Sequence, residues 1–160
     1  GMVIAHLGVA VSLAGMAADS AFTRERLAAV PVGGSVSVGP YHVTLAEVRP
    51  ALGPNWSAIE ARLQVRRGER RGFELLPQSR FFADPPTSTS EAAIATVLDG
   101  QLYTVLGQGD DQGRWQLRLW WKPFVTLIWL GGGLIALGGL LALIGHVRRA
   151  IRDRRAEAWA

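Results

Sequence analysis

The chain is 160 residues long, carries a formal charge of +4 and contains no cysteine. That length allows one modest domain plus extras, and the missing cysteines exclude a disulfide framework and thiolate metal sites. The charge is uneven: residues 19–122 hold 12 Lys/Arg against 11 Asp/Glu, whereas residues 146–160 hold five Arg against two acids. The middle therefore lacks the basic excess of a phosphate-binding face, and no nucleic-acid partner is expected.

The chain opens on Gly1 rather than methionine, as expected for a piece of a longer polypeptide. Residues 2–18 are uncharged and mostly apolar, and Asp19 ends the run. A cleavable signal peptide is one reading, since "AGMAADS" offers small residues, but no basic stretch precedes the apolar run. A slightly short transmembrane helix over 2–18 is the preferred expectation.

Residues 19–122 read as β-structure. In "YHVTLAEV", Tyr41, Val43 and Leu45 alternate with His42, Thr44 and Ala46. In "AIEARLQV", Ile59, Ala61, Leu63 and Val65 alternate with charged and polar neighbours, and in "RWQLRLWW" Trp115, Leu117, Leu119 and Trp121 do the same. Period-two patterns parted by "VGP", "LGPN", "RRGER" and "GDDQG" describe short antiparallel strands joined by turns. Ser88 and Glu91 stand at capping-box spacing, which predicts a short helix in "STSEAAIATVL". The expectation is a small antiparallel β-barrel or sandwich of about five to seven strands.

Residues 123–145 hold a longer uncharged run, "FVTLIWLGGGLIALGGLLALIG" from Phe124 to Gly145. At about 1.5 Å per residue its 22 residues extend about 33 Å, enough for a hydrocarbon core of roughly 30 Å. Its glycines are tolerated in lipid because they let helices approach closely. Trp120, Trp121 and Lys122 precede it like an interfacial aromatic belt with a snorkelling cation. The tail 146–160 follows, with Arg148, Arg149, Arg152, Arg154 and Arg155. By the positive-inside rule these hold the C-terminus in the cytoplasm and place residues 19–122 in the periplasm of a bacterium; Arg24 and Arg26 argue mildly the other way. The fold class is thus membrane α plus all-β: two transmembrane helices flanking a small periplasmic domain.

Recognisable catalytic sets are nearly absent. His6, His42 and His146 are spread over three regions, so no metal-ligand spacing exists. "GQGDDQG" has no following helix and reads as a hairpin tip, with Asp110 and Asp111 as turn residues. His42 reads as a surface residue on the polar face of a strand and His146 as an interfacial one. Arg80 stands between apolar runs and is open to pairing with Glu74, to anchoring an anionic group or to a plain strand-edge role. Arg66, Arg67, Arg70 and Arg71 suggest an exposed hairpin tip, with contact to an acidic partner as the functional alternative.

His6 differs because of its surroundings. Counted from Ala18, it lies 12 residues into the first span, about 18 Å, beyond the middle of a core roughly 30 Å thick. An ionisable residue there is costly unless it meets protein, water or a ligand. Imidazole is a standard axial ligand of haem iron, while a histidine hydrogen-bonded between helices is the structural alternative. Ala10, Leu13, Ala14 and Ala17 share its helix face, and such side chains leave room either for a flat macrocycle or for a closely packed helix. One imidazole gives one axial ligand, so a second would come from a helix outside this chain.

"GMVIAHLGVAV", "GPNWSAIEARLQV", "LLPQSRFF", "TSEAAIATVLDGQLYTVLG" and "RWQLRLWWKPFVTLIWLGGGLIALGGLLA" together resemble the C-terminal part of the CcmF family. These are haem-lyase subunits of bacterial cytochrome c maturation, related to NrfE and CcsA. The resemblance covers nearly the whole chain. It implies a multi-span protein of the bacterial inner membrane that receives haem from the periplasmic chaperone CcmE and helps attach it to apocytochrome c, with CcmH-type partners presenting the thiols. It also implies that His6 ligates the iron of a b-type haem, alongside the remaining transmembrane helices of the same protein. The chain reads "PQSR" at residues 77–80 where the family reads nearer "PEKR", and it lacks the tryptophan-rich segment that holds delivered haem. The fragment alone is therefore expected to be inactive. A non-catalytic, membrane-anchored β-domain serving as a scaffold or docking module is the alternative reading.

Overall fold

The computed structural model describes residues 1–69 and 71–157, the side chains of residues 153 and 155–157 excepted. Arg70, one of the four arginines of the expected hairpin tip, lies outside the described residues. The chain divides into two compact units, one made of its helical ends and one spanning Phe22–Pro123.

In the helical unit, α1 (Met2–Phe22) and α2 (Thr126–Glu157) are both long and apolar enough to cross a membrane. Each runs further than the sequence boundaries suggest. α1 continues past Asp19 to Phe22, and α2 continues through the basic tail to Glu157. The helices pack antiparallel along glycines spaced seven residues apart. A methyl group on Gly8 would sit 2.6 Å from the Gly131 carbonyl oxygen, and one on Gly1 would sit 2.6 Å from that of Gly138. A methyl group on Gly15 would sit 2.8 Å from the Ile128 backbone nitrogen. Such backbone proximity lets dispersion forces associate helices where lipid gives no hydrophobic drive. Ser12 adds a hydrogen bond, its Oγ donating to the Ile128 carbonyl at 3.3 Å.

The second unit is a sandwich with ten strands among the described residues, more than expected because several are only three to six residues long. One sheet holds β1 (Arg24–Pro31), β10 (Arg114–Pro123), β9 (Gly100–Gly109) and β8 (Ala93–Val97), in that order. The other holds β2 (Ser35–Val38), β3 (Tyr41–Leu52), β4 (Trp56–Arg66), β6 (Gln78–Ala83) and β7 (Pro86–Glu91), with β5 (Phe73–Leu75) also paired to β4. Every pairing is antiparallel. The predicted alternations hold, since Val43, Leu45, Leu63, Val65, Leu117 and Leu119 are wholly buried between the sheets. Each such side chain contributes roughly 1.5–3 kcal/mol by leaving water.

Two expectations are corrected here. The helix predicted around Ser88 is strand: β7 pairs with β6, Ser88 opposite Phe81 and Glu91 opposite Gln78. Ladder hydrogen bonds and sheet packing override the local capping signal. Trp121 is not an interfacial belt residue, because it is 6% exposed and packs edge-on against Tyr41 with ring centroids 5.0 Å apart. Trp120 points to the other face of β10, beside Tyr103 and under the Arg118 guanidinium. The phase of β3 also shifts. A bulge between Leu45 and Glu47 moves the inward register from odd to even positions, so Val48 rather than Glu47 packs on the core.

"GDDQG" is the hairpin tip between β9 and β10. Asp110 Oδ1 accepts the backbone N–H groups of Gln112 and Arg114 at 3.0 and 2.9 Å, and Gly113 takes the positive φ that the turn requires. The Arg114 backbone and side-chain donors hold the Asp110 carboxyl below the usual carboxylate range.

Candidate functional site

His6 lies on the face of α1 opposite the glycine seam. Gly8 and Gly15 are buried in that seam, while His6, Ala10, Leu13, Ala14 and Ala17 are all exposed. The small side chains sharing its face therefore do not serve the α1–α2 contact; the glycines do. The imidazole is fixed by its own helix: Nδ1 lies 2.9 Å from the Met2 carbonyl oxygen, one turn back. A carbonyl only accepts, so Nδ1 is the donor in this contact, and Nε2 is the ring nitrogen left for another partner. Orientation of one ring nitrogen by a backbone carbonyl, leaving the other for metal, is the usual arrangement of a histidine ligand. An axial nitrogen ligand to haem iron fits this donor.

The other histidines do not join it. His42 is exposed on β3, with Nδ1 2.9 Å from Ser37 Oγ. His146 is exposed on α2. Gly1 packs beside Ala142, so His146 lies beyond the start of α1 while His6 lies within it. Their levels differ by about nine residues, roughly 14 Å along the helices. No group of three or more potential metal ligands occurs among the described residues.

A second polar constellation, unforeseen as a set, lies on the outer face of the larger sheet. Glu60 is only 7% exposed. Its Oε1 accepts from Arg49 Nε and Nη2 at 3.0 and 2.7 Å, and its Oε2 accepts from Gln78 Nε2 at 2.6 Å. Gln78 Oε1 in turn accepts from Arg80 Nε at 2.8 Å. Arg80 does not pair with Glu74. It lies 3.7 Å from Glu91 and stacks over Trp56 at 4.2 Å from the ring centroid. The Gln78 amide and the Arg49 guanidinium hold the Glu60 carboxyl below its ordinary value, against the opposing effect of burial. The strand pattern places Glu60 on the polar face but gives no signal of burial, which follows from cross-strand partners 11 and 18 residues away.

Arg67 likewise departs from the exposed tip expected of it. Its Nη1 donates to Asp99 Oδ2 at 2.7 Å and its guanidinium lies over Tyr41 and Trp121, closing one end of the sandwich. Arg66 and Arg71 are exposed, as expected.

The sandwich carries the decisive likeness. Residues 21–123 match the family model described as the CcmF C-terminal beta-sandwich. The chain belongs to the CcmF family. It is 38% identical over 143 residues to the cytochrome c-type biogenesis protein CcmF of Escherichia coli (strain K12), covering 89% of this chain and 22% of that protein. To the protein of the same name from Pseudomonas aeruginosa it is 33% identical over 159 residues, covering 99% and 24%. A solved structure of a cytochrome c heme lyase CcmF aligns with a TM-score of 0.71 at 24% identity, over 88% of this chain and 23% of that one. That structural likeness speaks for the CcmF fold. This chain spans about a quarter of the length of these relatives and corresponds to the C-terminal part of CcmF.

Proposed function

We propose that this chain is the C-terminal part of a cytochrome c maturation haem lyase subunit, in which α1 presents His6 as one axial ligand of a b-type haem held in the bacterial inner membrane. The observation that carries this reading is the orientation of His6: Nδ1 donates to the Met2 carbonyl, and Nε2 is left on the open face of an apolar helix. Family membership supports it, since the relatives are named for cytochrome c-type biogenesis.

When bound, the haem supplies a redox-active iron within the membrane. The chain's own contribution is to hold and orient. The Gly8–Gly131 and Gly1–Gly138 contacts clamp α1 to α2, which fixes the direction in which His6 projects. Ala10 and Ala14 keep its face low, leaving space for a flat ring. A second ligand would come from a transmembrane helix outside this chain. The sandwich is periplasmic and the basic end of α2 cytoplasmic. The whole protein takes haem from the chaperone CcmE and delivers it to apocytochrome c, with CcmH-type partners presenting the thiols.

The test is maturation in cells. Full-length protein carrying His6→Ala should accumulate in the membrane yet give little covalently haem-stained cytochrome c. Maturation at the unaltered level would remove His6 from the function.

A further inference from the structure

The register of the sandwich gathers several exposed groups at one end. Arg24 pairs with Trp121 and Gly100 with Pro123. The first residue of β1 and the last of β10 therefore lie at the same end. Thr23 alone separates β1 from α1, and Phe124 and Val125 separate β10 from α2. By chain continuity this end is tethered to both apolar helices.

Three turns also lie there. The β2–β3 turn comes up against Trp121, since a methyl group on Gly39 would collide with its ring. The β4–β5 loop and the β8–β9 turn are tied together by the Arg67–Asp99 ion pair. That bond neutralises Asp99 and holds the two loops side by side.

What projects from them is a mixture of apolar and cationic side chains. Leu98, at the tip of the β8–β9 turn, is fully exposed at 101% of its reference area. Arg66 and Arg71 flank the β4–β5 loop and are exposed, with Glu69 the exposed acid between them. An exposed leucine on a turn tied to a loop flanked by arginines suits the interfacial layer of a bilayer, where apolar side chains reach the acyl boundary and cations meet anionic headgroups.

We infer that this end of the sandwich is a membrane-docking face. Leu98 enters the interfacial layer, and Arg66 and Arg71 bind anionic phospholipid headgroups. The inference rests on the reading that α1 and α2 span the membrane, and its test separates the two. Full-length protein with a single cysteine, Leu98→Cys, is labelled with a small fluorophore and reconstituted in vesicles of phosphatidylcholine and phosphatidylglycerol. Leu137→Cys, exposed on α2, and Leu52→Cys, exposed at the opposite end of the sandwich, are labelled in parallel.

The label at 98 should lose its emission to doxyl-labelled lipid and be shielded from iodide, whereas the label at 52 should show the reverse. With Arg66→Gln and Arg71→Gln together, the loss at 98 should diminish. If 137 responds to doxyl lipid while 98 responds only to iodide, the docking face is overturned and the spanning reading stands. If 137 responds only to iodide, both fall. Quenching of 98 by neither agent means that protein covers it, which also overturns the proposal. Undiminished quenching in the double arginine variant overturns the headgroup assignment.

Discussion

Gly8 of α1 lies against Gly131 of α2 with no space for a methyl group between them. The contact repeats one heptad away at Gly1 and Gly138, so the two apolar helices form a seam of backbone on backbone. Any side chain placed there forces the helices apart. Gly8→Val or Gly131→Val should therefore abolish a disulfide cross-link engineered between the facing surfaces of α1 and α2. Gly133→Ala, where nothing lies within 4 Å, should leave that cross-link intact.

Trp121 predicts where the sandwich ends. It is buried against Tyr41 and near Arg67, although it stands five positions before α2 begins. Residues 22–123 expressed alone should give a β-type circular dichroism spectrum and a cooperative melt. Trp121→Ala in that fragment should cost about 3–5 kcal/mol, the usual range for a deleted core aromatic, read from denaturant unfolding.

Glu60 should make the same fragment acid-sensitive. Its carboxyl is held below the ordinary value chiefly by the Gln78 amide and then by Arg49. A folded value below the unfolded one gives stability that is full above the unfolded value, about 4.3, and is lost as pH falls through the folded value. The melting temperature should drop below about pH 4, and Glu60→Gln should flatten that dependence, leaving the part due to Asp110, which is shifted the same way. Glu60→Ala removes the carboxylate that Gln78 and the solvent-exposed Arg49 donate to, and should cost about 1 kcal/mol at neutral pH.

Much of this architecture is legible in the sequence because it rests on local periodicity. The runs around Val43, Leu63 and Leu117 show period two, and those at 2–18 and 123–145 are uncharged and mostly apolar. What escapes such reading is set by pairing across strands. Ser88 and Glu91 look like a helix cap until β6 supplies ladder partners. Trp121 fits both a strand core and a membrane belt, and only its contact with Tyr41 decides. Glu60 sits correctly on a polar face, yet its burial depends on Arg49 and Gln78 from neighbouring strands. His6 stands out because a lone imidazole in an apolar helix is conspicuous at any resolution of reading. Which face of α1 meets α2 is less visible, because glycines and alanines both suit close packing.

Topology gives a further test in cells. Arg148, Arg149, Arg152, Arg154 and Arg155 cluster at the end of the chain, and the two helices run antiparallel. An alkaline phosphatase fusion near Gly53 should be active and one after residue 160 inactive. Activity after residue 160, or none near Gly53, would reverse the orientation.

The absorbance spectrum of the purified full-length protein tests most directly whether His6 Nε2 binds haem iron. His6→Ala should remove the low-spin b-type bands while the protein still accumulates. Added imidazole should partly restore them by entering the small space left behind, and His6→Leu, which fills that space, should block the rescue. Full haem occupancy with an unchanged spectrum in His6→Ala would contradict the assignment.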